Sequence, residues 1–102
     1  MSTAAGLAAE ATALAARGDH GAAIALYEQG LIRFSNDARF INSAGNYFAK
    51  TGRDERAVDL FLRALRTDPA LLEAAINAAI VMIRLDRASE AAALLRESLA
   101  AK

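Results

Sequence analysis

Three stretches of this chain fall into register when the sequence is shifted by 34 residues, with no gap. They read GDHGAAIALYEQGLIRFSND (18–37), GRDERAVDLFLRALRTDP (52–69) and DRASEAAALLRESLAAK (86–102). Ala23, Ala57 and Ala91 align, as do Tyr27, Phe61 and Leu95, then Gly30, Ala64 and Ser98, then Leu31, Leu65 and Leu99. The preceding segments follow the same register. Leu14, Phe48 and Met82 share a large apolar position, Ala11, Gly45 and Ala79 a small one, and Gly18, Gly52 and Asp86 a turn. A period of this length constrains the fold more than any composition does. Each copy must be one supersecondary unit too small to bury its own apolar faces, so the copies have to stack.

Each unit carries two helical patterns. In the middle copy Ile41, Ala44, Gly45 and Phe48 follow the i, i+3, i+4, i+7 spacing of one buried stripe. Gly52 ends that helix, and Asp54 is placed to cap the next. Ala57, Leu60, Phe61, Ala64 and Leu65 form a second stripe, which Pro69 terminates. Six helices are therefore predicted near 4–17, 20–33, 38–51, 54–67, 70–84 and 88–101, with loops short enough to make sequence neighbours antiparallel. The length of 102 residues suits one domain over 1–102, divided into units 4–37, 38–71 and 72–102.

These residues resemble the tetratricopeptide repeat family, whose pattern runs W-x2-L-G-x2-Y, then A-x3-F, then P over 34 residues. The middle copy supplies Ile41, Ala44, Gly45, Phe48, Ala57, Phe61 and Pro69 at those spacings. The first copy supplies Leu7, Ala11, Leu14, Ala23 and Tyr27, but has Glu10 at an apolar position and Ser35 where Pro is usual. The third substitutes Ala75, Ala78 and Asp86. The resemblance implies an all-α fold: a right-handed α-solenoid of three antiparallel helix-turn-helix pairs, with the first helix of each pair lining a concave groove.

Composition removes most chemistry. Twelve Lys plus Arg balance twelve Asp plus Glu, which gives no general pull toward nucleic acid or an anionic membrane. The repeats carry −2, +2 and 0, too slight an asymmetry for nucleic acid. With no Cys and one His, thiolate and His-rich metal sites cannot be built, and no phosphate loop or nucleophile–base pair is present. No enzyme, cofactor or metal is expected. The apolar fraction of 55% owes much to 27 alanines, and no run is long enough to cross a membrane. The Ala-rich start lacks a basic region and contains Glu10, so it reads as a helix and not as a signal peptide, which points to the cytoplasm.

Opposite the buried stripes lie Arg39, Asn42, Asn46 and Lys50 in the middle repeat and Glu73, Ile76, Asn77, Ile80 and Arg84 in the third. The first repeat offers only Ala5, Ala8, Thr12 and Ala16 there. These positions are the expected partner-binding groove, for a protein or peptide. Family members that grip an acidic peptide end use a Lys, Asn and Arg clamp. Asn46 and Asn77 match its Asn positions, but Asn42 replaces the first Lys and no further repeat supplies the rest, so a complete clamp is absent. Asn77 can equally be structural. His20 beside Asp19 and Gly21 reads as a solvated turn residue, and Lys50, Arg53 and Arg56 as a solvated basic cluster. The alternative function is self-assembly. Ile80, Ile83, Leu94, Leu95 and Leu99 leave apolar surface on the third repeat without a capping helix, which favours a homodimer.

Overall fold

The computed structural model describes residues 3–101. Six helices run α1 (Ala4–Ala16), α2 (His20–Arg33), α3 (Ala38–Lys50), α4 (Asp54–Thr67), α5 (Leu72–Arg84) and α6 (Ala88–Ala100). Each falls within two residues of its predicted span. Three begin with the side-chain caps their sequence offers: Thr3 accepts from the Gly6 N–H at 2.9 Å, Asp19 from Ala22 at 3.4 Å and Asp37 from Phe40 at 3.0 Å. Asp54 departs from expectation. It is the first residue inside α4, after an Arg53 cap position with no side-chain cap bond, and its carboxylate is turned to Arg84. The start of α5 at residue 72 is also later than the Pro69 signal suggests. Asp68 Oδ1 accepts from the Ala70 N–H at 3.1 Å and holds a turn that delays the helix.

The three intra-repeat turns are copies of one device. Asp19, Arg53 and Arg87 each donate a backbone N–H to the carbonyl five residues back, on Leu14, Phe48 and Met82, at 2.8–2.9 Å. This closure needs a left-handed residue just before the donor. Gly18 and Gly52 supply it at φ 83° and 82°, and Asp86 supplies it at φ 60° without the freedom of glycine.

Helices pack within each pair, α1 on α2, α3 on α4 and α5 on α6. Between pairs, α1 touches α3, α3 touches α5 and α4 packs along α5, while α2 meets α4 only through long side chains, Arg56 on Glu28 and Arg63 on the Leu31 carbonyl. The stack therefore curves, with first helices on the inner side and second helices splayed on the outer. Small positions set the approach distances. A Cβ on Gly45 would lie 2.6 Å from Phe61 Cε1, and one on Gly30 would run into the Phe40 ring. Ala11, Ala23, Ala44, Ala57 and Ala64 are fully enclosed. The largest fully buried side chains, Phe61, Ile41, Leu60 and Val58, all belong to the middle repeat. Among the described residues it has a repeat on both sides.

Candidate functional site

The inner face formed by α1, α3 and α5 carries three connected hollows. The largest, about 510 Å³, lies between α1 and the C-terminal half of α3. Ala15, Ala16, Tyr27 and Tyr47 wall it, and His20, Asn46 and Lys50 stand among its polar lining. Asn46 and Lys50 also line a hollow of about 220 Å³ between α3 and α5, with Asn77, Ile80 and Arg84 opposite. A third hollow, of about 330 Å³, holds Arg39 and shares Ser43 with the first. The resulting groove runs across all three first helices.

The aromatic wall is built from long-range pairs. Tyr27 and Tyr47 stack with centroids 5.1 Å apart, and Tyr27 tilts against Phe40 at 6.0 Å. His20 is the first residue of α2 and not a free turn residue. Its ring is exposed but stacks on Tyr47, and Nδ1 lies 2.7 Å from the Tyr47 hydroxyl. The sequence reading missed both as groove residues. Tyr47 immediately precedes the buried-stripe residue Phe48, and only the return of α2 beside α3 brings His20 to it. Arg53 and Arg56 sit over the Phe48 ring at 5.8 and 5.6 Å, outside the groove. Arg56 is also paired with Glu28 at 2.7 Å.

The groove residues anticipated from sequence separate into three groups. Arg39 and Lys50 are exposed and form no ion pair among the described residues, and Asn46 is half-buried beside Lys50. Asn42 is not on the open surface. It is 4% exposed, its amide donates to Glu73 Oε1 at 3.2 Å, and its carbonyl oxygen accepts from Asn77 Nδ2 at 3.1 Å. α5 covers this position, so Asn42, Asn77 and Glu73 form a polar rivet between α3 and α5. Arg84 reaches the groove but is anchored in a two-point ion pair, with Nη2 2.6 Å from Asp54 Oδ1 and Nε 3.3 Å from Oδ2. The hydrogen bond from Arg84 holds the Asp54 carboxyl below its ordinary pKa, and the same bond raises that of Arg84.

The apolar residues of the third repeat also separate. Ile76, Ile80 and Ile83 are 46%, 52% and 59% exposed, and Leu99 is 61% exposed. Of the three isoleucines only Ile80 lines the groove. Leu94 and Leu95 are half-buried against the core, because α6 folds back on α5. Leu94 also lines a separate outer cleft with Leu62, Leu65 and Pro69. Among the described residues no cluster of three His, Cys, Asp or Glu is arranged to hold a metal ion. No helix there is long and apolar enough to cross a membrane.

No family model and no curated protein matches the chain. Solved structures do. One is "MamA RS-1 ArsTM double mutant", with a TM-score of 0.80 and 21% identity over 96% of this chain and 55% of the other. Another is YrrB, described as a TPR protein with an unusual peptide-binding site, with a TM-score of 0.80 and 18% identity over 97% of this chain and 51% of the other. The chain thus has the tetratricopeptide-repeat fold, an all-α solenoid, and spans about half the length of these two structures.

Proposed function

We propose that the chain is a non-enzymatic protein–protein interaction module that holds an extended peptide, or one helix, of a partner in the inner groove. The observation carrying this reading is the pairing of two cations without ion partners, Arg39 and Lys50, with an aromatic-walled hollow on one continuous surface. An acidic side chain or chain end is attracted by Lys50, while an apolar side chain enters between Tyr27, Tyr47 and the alanines of α1. The Asn46 amide is placed to hydrogen-bond a peptide backbone. The peptide-binding site in the description of YrrB is that protein's own. The shared fold makes the same use reasonable here.

A displayed library of random peptides tests this. Enriched sequences should carry an acidic residue close to an apolar one. Fluorescence anisotropy with the best of them should show binding weakened by Arg39→Ala and Lys50→Ala at unchanged helicity. Binding indifferent to both changes would place the partner elsewhere. A second reading, self-association as a homodimer through the third repeat, is favoured by the exposure of Ile80, Ile83 and Leu99.

A further inference from the structure

The repeat register identifies what the exposed isoleucines are. Moving back one repeat takes Ile76, Ile80 and Ile83 to Asn42, Asn46 and Ala49. In α3 these positions face the next first helix. Asn42 bonds to Asn77 and Glu73 of α5, and Asn46 and Ala49 form one wall of the hollow opposite Asn77 and Val81. By the same geometry Ile76 and Ile83 face the place beyond α5 where a further helix packs, and Ile80 stands between that edge and the inner hollow that it lines. Leu99 completes the edge. Its counterpart Leu31 is 4% exposed beneath the following repeat, whereas Leu99 is 61% exposed.

We infer that this edge is the contact by which two copies of the chain pair, α5 against α5 in antiparallel fashion about a two-fold axis, an inference that rests on the homodimer reading above. Two observations choose this arrangement. The first excludes head-to-tail stacking. Continuing the stack with α1 of another copy sets Glu10 at the place held by Ala44 and Ala78, both 0% exposed. A carboxylate would then be enclosed where only a methyl group is accommodated, which is unfavourable without a buried cation. The second is the self-complementarity of the strip. Glu73 stands at one end, the isoleucines fill the middle, and Arg84 stands at the other end; both charges are exposed, and Glu73 has Oε2 to offer beside the Oε1 that Asn42 holds. An antiparallel partner brings acid to base at both ends and isoleucine to isoleucine between them. Arg84 uses Nε and Nη2 on Asp54, and its Nη1 donors remain for a second carboxylate. A contact of this kind uses the same patch twice and closes at two copies.

Sedimentation over a wide concentration range, combined with oxidation of single-cysteine variants, tests the arrangement, since the chain contains no Cys of its own. The expected result is a dimer that Ile80→Lys weakens at least about 100-fold, because each copy loses the side chain from one shared interface. Ile80→Cys, near the axis, should cross-link to itself on oxidation. Ile32→Cys, 82% exposed on α2 and away from the edge, should not. A wild-type chain that stays monomeric overturns both this pairing and the homodimer reading. A dimer that survives Ile80→Lys and does not cross-link through Cys at 80 overturns the pairing and leaves self-association by another face. A mass that keeps growing past two copies overturns the pairing in favour of stacking.

Discussion

The middle and third repeats share a plan yet invert one of its rules. At the same repeat position the middle copy has Asn42, 4% exposed, and the third has Ile76, 46% exposed. The polar side chain is inside and the isoleucine is out. Nothing in the two helices accounts for this. Among the described first helices, α3 has α1 on one side and α5 on the other, and α5 has α3 alone, so α5 encloses position 42 and no described helix encloses position 76. The Asn tolerates enclosure because Glu73 and Asn77 take both ends of its amide. The comparison teaches that in a stacked fold burial belongs to the interface between repeats more than to the residue or its helix.

The largest test of this contrast is at the second-helix aromatic position. Phe61 is fully enclosed and Leu95 is half-buried. Phe61→Ala should cost about 3–5 kcal/mol, and Leu95→Ala about 1–2 kcal/mol because part of its surface is already in water. Urea denaturation of both variants measures the difference, and equal costs would break the contrast.

The rivet comes next. Asn42→Ala should lower stability by about 1–2 kcal/mol, since the Asn77 amide loses its acceptor and Glu73 its donor. Ile76→Ala, at a dilution that keeps copies apart, should change it by less than about 0.5 kcal/mol. Thermal melts of the pair decide whether coverage or residue type governs this position.

A smaller effect should appear at the turns. Gly18 and Gly52 adopt left-handed backbone freely, and Asp86 does so against its Cβ. Asp86→Gly should therefore stabilise the third repeat by about 0.5–1 kcal/mol, while Gly52→Ala should destabilise the middle one. Chemical denaturation of the two variants should move the midpoint in opposite directions.

The smallest effect links the same two repeats electrostatically. Asp54 binds its proton less readily in the folded chain than in the unfolded one, because Arg84 donates to its carboxylate. The contribution of the pair is thus present at neutral pH and is lost as pH falls through the carboxylate range. Arg84 is exposed and Asp54 half-buried at the surface, so the effect is modest. Wild type should lose slightly more stability on acidification than an Arg84→Met variant, and identical acid profiles would remove the pair from the account. Glu90, lowered by its hydrogen bond from Arg87, acts in the same direction within one repeat and serves as the internal control.

The six helices, their antiparallel pairing and the identity of the turns were legible in the residues, because each depends on spacing within about a dozen neighbours. A 3.6-residue period shows which stripe is apolar, and a recurring small residue shows where two helices approach. The 34-residue register added that the pairs stack. Arg39, Asn46 and Lys50 lie opposite the stripes in the sequence and line hollows of the inner face in the structure.

Tertiary structure alone decided what meets across the stack. The Asn42–Glu73 and Asn77–Asn42 bonds join residues 31 and 35 positions apart, Arg84 meets Asp54 across 30, and His20 meets Tyr47 across 27. Helical periodicity tells which way such a side chain points from its own axis but not whether another helix stands there. That is why Asn42 was read as open, Asp54 as a cap and His20 as a free turn residue. The sequence by itself determined the repeated unit, through local rules that every copy obeys. The set of neighbours around each copy differs from one end of the stack to the other, and it decided which identical positions became core, rivet or exposed edge.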